Sequence, residues 1–177
     1  MKRGTRNNNP GNLKLSSLNW RGKIPNADNT DGTFEQFTSM EYGIRALYRL
    51  LVTYVNKYNL RSVDQIIDRY APPGENSEAA RANYKAFVIS KANTDRLDQV
   101  HDLYGIARGI MIFENSQSDY DSYILPYEST ARRITDLSDL KTIRPIVADT
   151  DADEKKNYAS ISKLLGFGLL LSALSKR

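Results

Sequence analysis

Few residue types in this chain can carry chemistry, and one glutamate stands out by its position. The sequence has no cysteine and a single histidine, His101, so thiolate catalysis, cysteine-based zinc sites and histidine clusters are excluded. Acid–base chemistry therefore falls mainly to Asp, Glu, Tyr and Lys. Glu114 follows an apolar stripe of helical spacing, and at 100° per residue it falls within about 20° of Leu103 on the same helix face.

A carboxylate at the end of a buried helix face has the properties of a general acid. Apolar neighbours disfavour the charged form, so we expect the pKa of Glu114 to rise and the group to keep its proton near neutral pH. Glycoside hydrolysis uses such an acid, and a second carboxylate or the substrate's own acetamido or hydroxyl group completes the reaction. Periodicity alone favours a structural interpretation instead, in which Glu114 caps the helix or pairs with Arg108 or Arg132.

Helices must position this glutamate, because apolar residues recur with helical spacing over most of the chain after residue 38. Residues 38–41 and 62–65 fit capping boxes that start two helices, and Pro72 and Pro73 end the second one. Five helices are predicted, over about residues 39–58, 62–71, 77–90, 98–115 and 118–135, the last with a break at Pro126.

Residues 1–38 have a different composition. They are dense in Asn, Gly, Asp, Ser and Thr, and short apolar pieces lie between the turn formers. This pattern predicts an irregular lobe with a small β-hairpin, turning at Asn29–Gly32 because an Asp-Gly pair tolerates positive φ. With the helices, it predicts a mainly α fold of the α+β class.

The last forty residues divide into a polar and an apolar part. Residues 136–158 include the acidic run at 149–154 and are predicted to form an extended arm or linker. Residues 159–177 are predicted to form an apolar helix with basic flanks, whose roughly 14 apolar residues would span only about 21 Å. Such a helix docks on a partner protein or lies in a membrane interface, and folding back onto the core is an equal alternative.

Composition and charge limit the partners. The chain has 177 residues and a net charge of +4, which suits an anionic partner such as nucleic acid, a membrane surface or an acidic cell-wall polymer. Lys and Arg are spread along the sequence with no nucleic-acid motif, so specific nucleic-acid binding is not expected. No apolar segment follows the first charged residues, so we expect no cleaved secretory signal. No metal or organic cofactor is implied.

Several motifs occur in a fixed order along the first two thirds of the chain. They are RGTRNNNPGNL at 3–13, WRG at 20–22, DGTFEQF at 31–37, EYGIRAL at 41–47, YAPP at 70–73, EN at 75–76 and IFEN at 112–115. This set resembles a family of phage virion-associated proteins, lysozyme-like or murein transglycosylase-like, over about residues 3–116. Two departures are that Ser116 replaces the usual Gly and that residues 117–127 lie where the family is usually shorter.

The resemblance implies a lysozyme-like domain over residues 1–135 with a small β-hairpin lobe. An Asn-rich hairpin followed by a Gly-Ile-Arg-Ala helix is also similar to the middle of flagellar-type glucosaminidases and lytic transglycosylases. In those enzymes the catalytic glutamate ends a helix before the hairpin, and here only a few residues precede it. The hypothesis is therefore a circular permutation, in which the helix ending at Glu114 takes the place of that first helix.

The resemblance also implies further site residues, each with a structural alternative. Asp31 matches the family's D-x-x-F aspartate and is a second catalytic carboxylate or simply a turn residue. The asparagines bind N-acetyl groups or hold the loop, and the aromatic residues line the cleft and pack on sugar faces or close the core. The candidate substrate-binding residues are Asn8, Asn9, Asn12, Trp20, Phe34, Tyr42, Tyr70 and Tyr84.

Two functions follow as expectations from this resemblance. The first is a virion-carried enzyme that cleaves the β-1,4 glycan strand of peptidoglycan in the host cell wall or periplasm during genome entry, with Glu114 as general acid. Residues 136–177 would then contact other virion proteins, and the apolar helix a capsid or membrane. The alternative is a minor virion structural protein that uses a non-catalytic lysozyme-like domain for assembly or cell-wall binding. An open cleft around Glu114 favours the enzyme, and burial under the arm favours the structural role.

Overall fold

Seven α-helices follow one another in the part of the chain that the structure describes. A computed structural model describes residues 1–137, so the predicted apolar helix at 159–177 and nearly all of the predicted arm at 136–158 lie outside the described residues. The helices are α1 (Arg3–Arg6), α2 (Met40–Tyr58), α3 (Val63–Tyr70), α4 (Glu78–Ala92), α5 (Val100–Asn115), α6 (Gln117–Asp119) and α7 (Glu128–Ile134). The fold is therefore mainly α, as predicted. Within residues 1–137 no helix is long and apolar enough to cross a membrane.

The predicted helix ends are largely confirmed. The capping box at residues 62–65 is present, with the Ser62 side chain and the Gln65 side chain each binding the other's backbone N–H. The first capping box is wrong: Ser39 precedes α2 in extended conformation, and its side chain makes no capping hydrogen bond. Asn59 and Asn93 end α2 and α4 in the left-handed conformation, which asparagine tolerates better than most residues.

Helix α5 lies in the core and carries the predicted apolar stripe except at its first member, Val100, which is exposed. Leu103, Ile106 and Ile110 are fully buried, and each such side chain contributes about 1.5–3 kcal/mol when it leaves water. Gly109 allows α4 to come close, because a Cβ at that position would lie 3.0 Å from the Val88 Cα. The close packing of α4 and α5 holds the end of α5 in a defined place.

The predicted β-hairpin is replaced by an irregular loop. Within residues 1–137 the structure has isolated bridges, two of them in this lobe at Lys14–Phe34 and Lys23–Phe37, and no strand. A few backbone hydrogen bonds join the two segments, such as Leu15 N–H to the Thr33 carbonyl at 2.9 Å. Side chains add to them: the buried Asn9 donates from Nδ2 to the carbonyls of Leu13 and Glu35, at 3.0 and 2.9 Å. The predicted turn is present, and Gly32 has φ +72°.

The predicted helix at 118–135 is interrupted. After α6 come a π-type turn at Tyr120–Ile124 and a 3-10 turn at Leu125–Tyr127, and α7 begins only at Glu128. The interruption begins at Tyr120, ahead of the predicted break at Pro126, and the proline, which has no N–H to continue the helical hydrogen bonds, lies in the 3-10 turn that completes it.

Candidate active site

A cleft of about 520 Å³ contains Glu114. The loop of residues 12–20 and Phe34 form one part of its lining, and helices α2 to α5 with the turn after α3 form the rest. The lining residues are Asn12, Leu13, Lys14, Ser16, Leu18, Trp20, Phe34, Leu50, Tyr54, Arg69, Tyr70, Ala71, Pro72, Glu75, Asn76, Tyr84, Phe113 and Glu114. The cleft thus combines aromatic rings with a few charged groups, as in many small-molecule sites.

Both carboxylate oxygens of Glu114 accept a hydrogen bond from a neutral donor. Asn12 Nδ2 donates to Oε2 at 2.7 Å, and the Tyr84 hydroxyl donates to Oε1 at 2.7 Å. Burial raises the pKa of Glu114 above its ordinary value, and these two donors oppose the rise without cancelling it. The arrangement therefore favours a carboxyl group that holds its proton to higher pH than an exposed glutamate does.

The predicted structural alternative for Glu114, a pair with Arg108 or Arg132, is wrong. Both arginines bind Glu128, with Nη2 of Arg132 at 2.8 Å and Nη2 of Arg108 at 3.9 Å from Oε2. In the part of the chain that the structure describes, no Lys, Arg or His nitrogen lies within ion-pair distance of Glu114. A cation within ion-pair distance would lower the pKa of Glu114. Without one, the carboxyl group keeps its proton to higher pH.

Tyr84 is held by other rings. Its ring stacks on that of Phe113 with centroids 3.8 Å apart, and the Tyr70 ring lies edge-on at 6.5 Å. Burial raises the pKa of both tyrosines well above the ordinary value, and the charge of Glu114 raises it further. Tyr84 consequently stays a hydrogen-bond donor across the physiological pH range.

Asn12 reaches Glu114 because the N-terminal loop is tied to the end of α5. The buried Asn115 donates from Nδ2 to the Pro10 carbonyl at 2.7 Å and to the Met111 carbonyl at 2.9 Å. The Tyr70 hydroxyl donates to the Gly11 carbonyl. Asn12 itself has φ +48°, a left-handed conformation that asparagine tolerates. The loop therefore presents the Asn12 amide at a defined position beside Glu114.

No protein-family model matches the chain. The chain is 40% identical over 123 residues to Protein P5 of Pseudoalteromonas phage PM2, a match that covers 67% of this chain and 74% of the phage protein. The chain belongs to the family of this phage protein. Membership in the P5 family confirms the phage part of the resemblance seen in the motifs, and the chemistry is argued from the cleft.

Asp31 does not lie at the cleft of this P5-family protein, contrary to its predicted role as a second catalytic carboxylate. Its side chain is only 2% exposed and accepts hydrogen bonds from Arg3 Nε at 2.7 Å, Arg3 Nη2 at 2.6 Å and Asn7 Nδ2 at 2.8 Å. The Arg3 guanidinium, helped by Asn7, holds the pKa of Asp31 well below its usual range. The turn-residue alternative accounts for these contacts.

Three other predicted substrate-binding residues also lie outside the cleft lining. Asn8 donates from Nδ2 to the Phe37 carbonyl at 3.0 Å, and Asn9 holds the loop as described above. Tyr42 is partly buried, and a Cβ at Gly22 would collide with its ring. These side chains organise the lobe, which is the structural alternative that the sequence left open. The structure brings together at the cleft Asn12, Trp20, Phe34, Tyr70, Tyr84 and Glu114.

Most of the lining residues were absent from the predicted site, among them Phe113, Glu75 and Arg69. Phe113 precedes Glu114, and Glu75 lies in the EN motif at 75–76, which was the available signal for a second carboxylate. Glu75 is exposed and forms an ion pair with Lys14. Arg69 has no motif to mark it. Among residues 1–137 no group of three His, Asp or Glu side chains could hold a metal ion.

Proposed function

We propose that this P5-family protein is a virion-carried enzyme that cleaves the β-1,4 glycan strand of peptidoglycan during genome entry, in the host cell wall or periplasm. The observation that carries the proposal is the setting of Glu114, a carboxyl group with a raised pKa in an aromatic cleft. Perturbed carboxyl groups in clefts are characteristic of acid–base sites.

Glu114 acts as the general acid in this proposal. Its proton passes to the glycosidic oxygen, the bond between that oxygen and C1 of the sugar breaks, and positive charge develops at C1. Asn12 and Tyr84 donate to the carboxylate that remains, so they stabilise the product of proton transfer. Burial raises the energy of the same carboxylate, and the balance of the two effects sets the pH at which the acid works.

The glycan would pack against the aromatic part of the cleft. Trp20 and Phe34 line it beside the Asn12 loop, and the Arg3 guanidinium lies 4.5 Å from the centroid of the Phe34 ring. Flat sugar faces pack well on such rings, which supply large apolar area at small entropic cost. This side of the cleft would therefore bind the strand, while Tyr70 and Tyr84 surround the acid.

After Glu114 has donated its proton, the reaction is completed either with the help of Glu75 or by a group of the substrate itself. Because Asp31 is held by Arg3 away from the cleft, Glu75 is the other carboxylate in the described lining. If Glu75 assists attack by water, the product has a reducing end. If the substrate's own hydroxyl attacks C1 and gives its proton to the Glu114 carboxylate, the product is a 1,6-anhydro sugar. The identity of the product end, read by mass spectrometry, distinguishes these two routes.

The fold supports the same proposal. We propose a lysozyme-like domain in circular permutation, with α5 bringing the acid to the loop from the far side of the sequence. The contacts of Asn12 with Glu114 and of Asn115 with Pro10 join positions 102 and 105 residues apart, as that arrangement requires. Contacts of residues 136–177 with other virion proteins, a capsid or a membrane stay predictions.

The decisive experiment measures fragment release from purified peptidoglycan. The intact protein should release muropeptides, and Glu114→Gln should reduce the rate at least about 100-fold, since it removes the acid. Glu78→Gln, an exposed change at the start of α4, is the matched control and should act like the parent. Absence of release by the folded parent protein would overturn the proposal.

The structural alternative has one observation in its favour. The hydrogen bonds of Glu114 with Asn12 and Tyr84 join three segments of the chain, so Glu114 could serve only to stabilise the fold. In that case neither the parent nor Glu114→Gln would release fragments, both would still bind peptidoglycan or the virion, and the domain would serve assembly or cell-wall binding.

A further inference from the structure

Arg69 is held over the cleft by two tyrosines. It lies in the last turn of α3, and its guanidinium carbon is 3.7 Å from the centroid of the Tyr58 ring and 5.5 Å from that of Tyr54. Arg69 and Tyr54 both line the cleft that contains Glu114. Stacking of this kind limits the rotamers of a long side chain, so the charged group is already placed before a ligand arrives.

The guanidinium edge of Arg69 carries no hydrogen bond or ion pair with any other residue of the described chain. The other cation of the cleft, Lys14, is paired with Glu75. Glu114, at the remaining charged position, has neutral partners and a raised pKa. The positive charge of Arg69 is therefore fixed in the cleft, and neither Glu75 nor Glu114 neutralises it.

We propose that Arg69 forms a subsite for a carboxylate of the substrate, carried by the stem peptide of peptidoglycan. The proposal rests on the function proposed above and extends it from the glycan to the peptide. A planar guanidinium binds a carboxylate through two parallel N–H···O hydrogen bonds, and the Arg69 guanidinium lies 3.7 Å from the centroid of the Tyr58 ring, on the cleft lining. Arg69 would then favour peptide-bearing strands over neutral glycans.

Binding can be measured with the protein's own fluorescence. Trp20 is the sole tryptophan of the chain and lines the same cleft, so its emission should report occupancy. Three probes separate the sources of the carboxylate: a soluble muropeptide with its stem, a glycan fragment without the stem but with a free lactyl carboxylate, and the neutral chitotetraose. The parent protein should bind the stem-bearing probe most tightly.

The variant Arg69→Gln removes the charge. We expect it to weaken binding of the stem-bearing muropeptide about tenfold, equivalent to about 1.4 kcal/mol, and to leave chitotetraose within twofold of the parent. The matched control is Arg133→Gln, an exposed change on α7 outside the cleft lining, which should change neither. Equal loss for both probes, or no loss for the muropeptide, would overturn the proposal.

A second variant tests the stacking itself. Tyr58 is 39% exposed, so Tyr58→Leu should leave the fold intact while removing the surface on which Arg69 lies. We expect a smaller loss, about threefold, on the stem-bearing muropeptide alone. Tighter binding of the lactyl probe than of the stem-bearing probe would overturn the assignment to the stem peptide.

These outcomes are separable from those for catalysis. Glu114→Gln should keep the affinity for the stem-bearing muropeptide while it loses turnover, so the subsite can be confirmed by binding even if no fragment is released. Conversely, turnover with no effect of Arg69→Gln on affinity would leave the catalytic proposal standing and remove the subsite. No affinity of the parent for the stem-bearing muropeptide would overturn the subsite outright.

Discussion

Asn12 and Glu114 lie 102 residues apart in the chain, and a 2.7 Å hydrogen bond joins the amide Nδ2 of one to the carboxylate Oε2 of the other. Asn12 belongs to an irregular loop, whereas Glu114 ends a core helix. The loop can hold the amide there because Asn115, the neighbour of Glu114, binds the Pro10 carbonyl from within the core. The two adjacent residues at the end of α5 therefore have linked roles: Glu114 is the acid, and Asn115 fixes the loop that carries its hydrogen-bond donor, Asn12.

Removal of the Asn12 side chain should shift the pH dependence of cleavage. Asn12 stabilises the charged form of Glu114, so Asn12→Gly should raise the pKa of Glu114 further. A general acid must be protonated, and the alkaline limb of the pH–rate profile should therefore move to higher pH. Glycine is chosen because it accepts the φ of +48° at this position.

Asn59→Gly is the matched control for that shift, since Asn59 has φ +53° but lies outside the cleft lining. Its pH–rate profile should coincide with that of the parent. A limb that stays in place or moves to lower pH in Asn12→Gly would contradict the role assigned to the amide.

Glu114→Gln should stabilise the fold at alkaline pH. The pKa of Glu114 is raised in the folded state, so its contribution to stability is full below the unfolded pKa and is lost as pH rises through the folded pKa. Gln carries no charge, so the variant should melt roughly 2–4 °C above the parent near pH 8. The two should converge at about pH 3, well below the unfolded pKa, where the carboxyl is neutral in both states.

Thermal unfolding followed by circular dichroism across this pH range measures the difference. Glu78→Gln, on an exposed position, should show no comparable pH-dependent difference in Tm from the parent. A variant that is less stable than the parent at pH 8 would mean that the charged form of Glu114 is favoured by the fold.

Asp31→Asn should lower stability and spare activity. Arg3 depresses the pKa of Asp31, so this carboxylate contributes stability above its unfolded pKa and loses it as pH falls through the folded value. Loss of the charged hydrogen bonds should lower the Tm at pH 7 by about 5 °C, and the deficit should shrink in strong acid. Cleavage by the folded variant should stay within about twofold, because Asp31 lies outside the cleft lining.

The exposed Asp28, in the same lobe, supplies the control Asp28→Asn, which should leave both Tm and cleavage unchanged. A large loss of turnover in an Asp31→Asn protein that remains folded would restore a catalytic role to this aspartate.

Asn115→Ala should be strongly destabilising. The side chain is fully buried, and its loss leaves the Pro10 carbonyl without its donor and opens a gap at the Thr5 hydroxyl. We expect a loss of about 2–3 kcal/mol in the free energy of unfolding in urea. Asn83→Ala, exposed in the interior of α4, should not lower it, because alanine has the higher helix propensity. A loss below about 1 kcal/mol at Asn115 would show that the loop is held mainly by other contacts.

The sequence by itself determined the main helices and the position of Glu114 at the end of one of them, α5. Apolar spacing located α2 to α5, and the stripe through Leu103 and Ile110 placed Glu114 on the buried side of α5. These are local properties, because residues three and four apart share a helix face whatever the rest of the chain does. An interruption that includes Pro126 was also predictable locally, because proline has no N–H for the helical hydrogen bond.

The loop and the site were decided only by tertiary structure. Composition predicted a hairpin, but backbone pairing stops at isolated bridges, and the buried side chains of Asn9 and Glu35 add the remaining hydrogen bonds of the loop. Asp31 matched a motif, yet Arg3 binds it away from the cleft. Which side chain meets which depends on the path of the chain over a hundred residues, and no spacing in the sequence encodes that path. The hydrogen bond between Asn12 and Glu114 and the position of the Arg69 guanidinium in the cleft both depend on that path.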